Sequence, residues 1–296
     1  MKITNHTAEQ SFLISVIKRV IVAILLTVIV FSVGKIITYF EEKAAADKMQ
    51  NEILNEHVTV DTEAADSDVS EEENLDEEEA SAEDKETTED DVPAVSQSPV
   101  STGGAAVSAA DGSDGVSVDF ASLTAQYPGV VGYIYGPGTK IQYPIAYTSS
   151  TNDYYLNRDL DGNLNANGSI FIEHLCDPTF ANHNTIIYGH HMKSGLMFAD
   201  LCKYKDPSFY TTHPYFYIYT PTQDYKVNLF AGFVCAHDDE VFALSLSSSQ
   251  LANMAAKSTF QSNMGTPTGN LVTLCTCSYE FNNARYVIVG ELVPMY

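Results

Sequence analysis

The sequence predicts a mainly β globular domain, a sandwich or closed barrel, preceded by an apolar helix. Three observations lead there. From Val116 to Tyr296, β-branched and aromatic runs of four to eleven residues alternate with Gly, Pro, Asn and Asp clusters. Few stretches carry helical periodicity, and that many short strands in one domain favour a sandwich or barrel over a parallel sheet. Ahead of Val116 lie one long apolar run and one acidic tract, neither of which can build a core.

The apolar run Val20 to Val33 is broken only by Thr27 and Ser32, and Ile36 to Phe40 extends it past Gly34 and Lys35. As a helix, roughly 20 such residues cross a bilayer if Lys35 snorkels. Lys18 and Arg19 precede the run and Glu41 and Glu42 follow it. The positive-inside rule therefore predicts a cytoplasmic tail (1–19), a transmembrane anchor (20–40) and an extracellular remainder. A cleaved leader ending at Ala44–Ala46 competes with this reading, but the run exceeds an h-region of roughly 7 to 15 residues.

Most of the net charge of −24 arises between Asp61 and Asp91. That tract buries too little apolar surface to offset its chain entropy, and the Ser/Gly/Ala-rich stretch after it is equally linker-like. Residues 41–115 are accordingly expected to be a disordered linker, and 116–296 the folded domain. The acidity also argues against nucleic acid as a partner.

Within the domain, Val130–Tyr135, Ser169–Ile172, Thr185–Tyr188, Tyr215–Thr220, Tyr225–Cys235, Leu271–Cys277 and Arg285–Val293 read as strands. Val118–Gln126, Asn152–Asn157, Leu196–Tyr204 and Ser247–Lys257 have helical character. Thr266–Asn270 reads as a turn, and the tyrosines and phenylalanines of Tyr215–Phe233 as barrel core and rim.

The sharpest chemical signal is Leu271-Val272-Thr273-Leu274-Cys275-Thr276-Cys277, a polar loop, then Arg285 opening the next strand. Across such a hairpin a thiol and a guanidinium can face one cleft. Thiols attack as thiolates, and guanidinium N–H groups suit an oxyanion. Upstream, Asn184-Thr185-Ile186-Ile187-Tyr188-Gly189 is a strand ending in glycine and followed by His190 and His191, which presents an imidazole at a strand end. Five cysteines make an odd, irregular set, too few for a disulfide scaffold. Zinc on Cys275, Cys277, His190 and His191 is the alternative, although residues two apart on a strand make a cramped chelate.

These residues resemble the sortases, and within them class B. The resemblance rests on TLCTC with Arg eight residues on and on the strand ending YGHH. VVGYIYGPGTKIQYPI, NDYYLNRDLDG and GSIFIE extend it over the stretch from about Val116 to the C-terminus. It implies a closed eight-stranded β-barrel with N-terminal helices and a helix in the loop before the cysteine strand, supplied by Ser247–Lys257. It also implies a cysteine transpeptidase at the cell membrane, with Cys277 as nucleophile, His190 as acid and base, and Arg285 as oxyanion and substrate ligand. Asn152, Leu156 and Cys275 would line the groove for a C-terminal sorting motif of the NPxTN or SPxTG kind. Its partners would be secreted proteins bearing that motif and a peptidoglycan precursor amine, with no cofactor. Position 275, often serine in class B, is cysteine here. A pilin polymerase on the same fold, a hydrolytic cysteine peptidase and a zinc-binding or structural wall module are the competing functions.

Overall fold

The computed structural model describes residues 4–60 and 115–296. Eight strands form a barrel: β3 (Val130–Tyr135), β4 (Gln142–Ala146), β5 (Ile170–Ile172), β6 (Asn184–Tyr188), β7 (Tyr215–Tyr219), β8 (Tyr225–Ala236), β9 (Leu271–Cys277) and β10 (Ala284–Pro294). It closes in the order β10-β8-β7-β3-β4-β5-β6-β9. β1 (Val58–Val60) and β2 (Val116–Val118) are short strands outside the barrel. β4–β5 and β6–β9 pair in parallel, and the remaining junctions are antiparallel. The eight-stranded barrel is as expected. Closure removes the exposed strand edges that invite aggregation.

Strand alternation divides the side chains into two sets. Ile134, Ile218, Val227, Leu274, Tyr286 and Ile288 fill the main core. Phe233, Cys235, Cys275, Val287 and Val289 form a second cluster, with Leu251 and Met254 of a helix packed on it. Eight strands leave an interior just wide enough for side chains to fill.

The helices are α1 (Thr4–His57), α2 (Phe120–Gln126), α3 (Asp153–Leu156), α4 (Pro207–Thr212) and α5 (Ser248–Lys257). α5 lies in the loop before the cysteine strand, as the resemblance implied. A capping box fixes its start: the Ser247 side chain accepts from the Gln250 N–H while the Gln250 side chain reaches back to the Ser247 N–H. The expected helix at Leu196–Tyr204 is instead a 3-10 segment, Ala199–Lys205.

One strand of the barrel escaped the sequence pattern. β4 carries Pro144, which has no N–H to give a ladder. It is tolerated because β5 pairs only with Ile145 and Ala146 on that side.

The N-terminal boundary also moves. Ile17–Thr38 is a helical stretch of 22 residues with mean hydropathy 2.8, long and apolar enough to cross a membrane. α1 does not stop at Phe40, however, but runs to His57, so residues 41–57 are helix rather than the expected linker. Their stabilisation comes from packing. Ile53 is 2% exposed, His57 Nε2 lies 2.9 Å from Gln126 Oε1 of α2, and the Asp119 N–H donates to the His57 carbonyl at 2.8 Å. Residues 61–114, the rest of that expected linker, lie outside the described residues.

Candidate active site

β9 and β10 pair so that Cys277 stands directly opposite Arg285, and on the other side of Arg285 stands Cys235 of β8. These three side chains share one face. In the next row on that face, Cys275, Val287 and Phe233 are buried in the cluster beneath α5. Cys277 is the first residue of β9 to emerge from that cover, and is half-buried.

β6 lies parallel to β9, with Tyr188 level with Cys275. The Gly189 N–H donates to the Cys275 carbonyl at 3.1 Å, and Thr276 Oγ1 donates to the Gly189 carbonyl at 2.8 Å. These bonds extend the pairing by one residue and deliver His190 level with Cys277. Gly189 is needed for close packing: a Cβ there would lie 2.4 Å from Ile170 Cδ1 and 2.7 Å from the Phe198 ring. His190 Nε2 donates to the Leu156 carbonyl at 2.7 Å, which assigns its proton, because a carbonyl can only accept. By the same logic His191 Nδ1 donates to the Cys277 carbonyl at 3.0 Å.

His190, Cys277 and Arg285 line one open cleft of about 420 Å³ together with Asn152, Leu156 and Cys275. All six residues singled out from the sequence therefore meet in one place. Tyr188, Phe242, His237 and Asp153 are among the other residues of its walls and were not singled out for it. Asp153 and Tyr188 lie inside the quoted NDYYLN and YGHH stretches, whereas His237 and Phe242 come from a segment that no motif marks. A smaller cavity of about 60 Å³, between Met49 and Ile53 of α1 and Tyr143 and Leu196, carries none of the candidate catalytic groups.

A buried asparagine sets one wall. Asn184 Nδ2 donates to the Val241 and Ala243 carbonyls at 2.9 and 2.8 Å, and Thr273 Oγ1 donates to Asn184 Oδ1 at 2.8 Å. Phe242 lies between those two carbonyl residues, with its ring stacked 6.3 Å from that of Tyr188. Asn184 thus anchors the Phe242 wall to β6 and β9.

The loop after Cys277 is held from below. Lys205 Nζ donates to Ser278 Oγ at 2.8 Å and pairs with Glu280, which also accepts from Ser278. The Lys205 and Ser278 hydrogen bonds hold the Glu280 carboxyl down at about 2.

The chemistry this allows follows from what each group is committed to. Among the described residues no carboxylate lies within ion-pair distance of Arg285, and Nη1 reaches only the Ala284 carbonyl, at 3.1 Å. The other arginine of the domain, Arg158, sits over the Tyr154 ring and bonds the Gly162 carbonyl. The neighbouring thiols are poor nucleophiles. Burial raises Cys275 well above the ordinary thiol range and pushes Cys235 up to about 12. Of the four groups in the zinc alternative, Cys275 is enclosed in the cluster under α5 and His191 Nδ1 donates to the Cys277 carbonyl.

A closed eight-stranded barrel is what the sortase resemblance implied, and known proteins bear out the family and the fold. A family profile described as the sortase domain matches residues 134–293. A sortase B from Listeria monocytogenes is 35% identical over 172 residues, covering 55% of this chain and 70% of the relative. A sortase B from Staphylococcus aureus is 30% identical over 188 residues, covering 61% and 77%. Among solved structures, a Staphylococcus aureus sortase B–substrate complex superposes with a TM-score of 0.56 at 29% identity, covering 60% of this chain and 85% of that one. The chain belongs to the sortase family and is a sortase-type transpeptidase. Within the family it is a class B sortase.

Proposed function

We propose that this sortase joins secreted proteins to the cell wall, with Cys277 as nucleophile, His190 as general acid and base, and Arg285 as ligand of the oxyanion. The observation that carries the reading is the direct opposition of Cys277 and Arg285 in a cleft that also holds His190, Asn152 and Leu156.

In this reading the Cys277 thiolate attacks the carbonyl carbon of the threonine in an NPxTN-like or SPxTG-like motif. A C–S bond forms, and the negative charge moves to the oxygen, where the Arg285 fork donates hydrogen bonds. Collapse breaks the C–N bond, and the His190 imidazolium gives its proton to the departing amine. With Nε2 bonded to the Leu156 carbonyl, Nδ1 is the nitrogen left to exchange that proton. An acceptor amine of the peptidoglycan precursor then attacks the thioacyl carbon and loses a proton to His190. A new amide forms, and the Cys277 thiolate leaves. Asn152, Leu156 and the buried Cys275 line the part of the cleft that takes the motif.

We further read Ile17–Thr38 as a single-pass anchor. Lys18 and Arg19 would keep the N-terminus cytoplasmic, leaving the barrel outside the cell.

Mass spectrometry of the products formed from peptides of both motif types, with and without an added amine, tests the proposal. It predicts amide adducts of the acyl fragment with the amine, lost in Cys277→Ala. Acid termini alone, with amine in excess, would make the protein a hydrolase and refute transfer.

A further inference from the structure

Glu173 follows β5, where its N–H donates to the Ile186 carbonyl at 2.9 Å. Its side chain is only 12% exposed and does not line the cleft, yet it holds two residues that do. Asn152 Nδ2 donates to Glu173 Oε2 at 2.6 Å, and the Tyr188 hydroxyl donates to the same oxygen at 2.9 Å. His174 Nδ1 lies 2.7 Å from the other carboxylate oxygen, and the His174 N–H donates to Asn152 Oδ1 at 2.8 Å. Asn152 therefore has one possible orientation. Flipped, its Oδ1 would face a carboxylate and its Nδ2 a backbone N–H, two repulsions in place of two hydrogen bonds.

We propose that Glu173 is a positioning residue for the motif groove: it locks the Asn152 amide and the Tyr188 hydroxyl so that a fixed donor and acceptor pair meets the incoming peptide. After the bonds above, Asn152 retains one Nδ2 hydrogen and one Oδ1 lone pair, the complement of a peptide or carboxamide group. Tyr188 retains its oxygen lone pairs, because its proton is committed to Glu173. A groove preset in this way avoids the cost of ordering these side chains when the peptide binds. The inference rests on the proposal that this cleft takes a sorting motif. It adds to it a residue that touches no substrate.

The test is a charge-exchange series in the full chain, on a peptide the wild type cleaves. Glu173→Ala is expected to raise KM about tenfold while kcat stays within about twofold. Asn152→Asp, which faces two carboxylates toward each other, is expected to fall further. Adding Glu173→Gln to Asn152→Asp restores an amide–carboxylate pair with the roles exchanged. It is expected to recover at least about fivefold over Asn152→Asp alone, a rescue that a merely structural role would not give. The rate of Cys277 alkylation by a small reagent, equal in all variants, verifies an intact site. An unchanged KM in Glu173→Ala, or a double variant no better than Asn152→Asp, overturns the inference and leaves the catalytic proposal standing. If the wild type cleaves no peptide, the catalytic proposal fails, and the Asn152 side-chain amide decides the inference separately. Its two protons, read by 15N-edited NMR, should be widely split and slow to exchange in the wild type and collapse together in Glu173→Ala. No change between the two would overturn it.

Discussion

Cys277 and Arg285 are direct cross-strand partners, and the arginine is flanked on its other side by Cys235. The guanidinium thus stands between a half-buried thiol and a buried one, with most of its donors uncommitted. Its planar fork, and not only its charge, should matter. Arg285→Lys keeps the charge but offers a single ammonium, and is expected to lower kcat for peptide cleavage about 100-fold, or ~2.7 kcal/mol. A kcat near that of the wild type would show that charge alone suffices.

The thiols should differ sharply in reactivity. Burial raises Cys176, Cys202, Cys235 and Cys275 above the ordinary thiol range. At pH 8 a thiol held at about 12 is thiolate in about one molecule in 10,000, and only the thiolate is alkylated. Brief treatment of the folded protein with a maleimide, mapped by peptide mass, is expected to label Cys277 first. In Cys277→Ala, labelling should wait for unfolding. Early modification of Cys275 would contradict its enclosure under α5.

Asn184 offers a test of how the cleft wall is built. Asn184→Ala leaves the Val241 and Ala243 carbonyls and the Thr273 hydroxyl without their partner, and should cost about 3 kcal/mol of stability. Because Phe242 is tethered through those carbonyls, KM for the peptide should rise more than kcat falls. Denaturant unfolding and steady-state kinetics report the two effects. An unchanged unfolding midpoint would remove Asn184 from the account.

The loop after Cys277 should respond to acid. In the folded protein Glu280 titrates at about 2, below its ordinary value of 4.5, so its contribution is present above that ordinary value and is lost as pH falls toward 2. The side chain is 40% exposed, which limits the contribution to under about 1 kcal/mol after solvent screening. The melting temperature of Glu280→Gln is expected to lie roughly 2 °C below the wild type at pH 6, with the gap closing as pH approaches 2. A gap that persists at low pH would mean the carboxylate is not its source.

Much of the site was legible because it is built from strand ends. The alternation in Leu271–Cys277, the glycine closing Asn184–Gly189 and the position of Arg285 are local features, and the register carries them into one cleft. The helix through 41–57 was not legible, because what holds it, Ile53 and His57 against α2, is tertiary packing that overrides a linker-like composition. β4 was hidden by Pro144. Glu173, Tyr188 and Phe242 were missed for a related reason: Glu173 and Tyr188 lie inside the GSIFIE and YGHH stretches but read there as ordinary strand-end residues, Phe242 lies in no motif, and only barrel closure brings them together around the cleft.

The central claim is that Cys277 forms a thioacyl bond to the substrate. Intact-mass spectrometry of the full chain, acid-quenched during turnover of a motif peptide, followed by mapping of the adduct, tests it directly. The account predicts an added mass equal to the peptide's acyl fragment, carried on Cys277 and discharged by an added amine. An adduct on any other residue, or cleavage at the wild-type rate in Cys277→Ala, would contradict it.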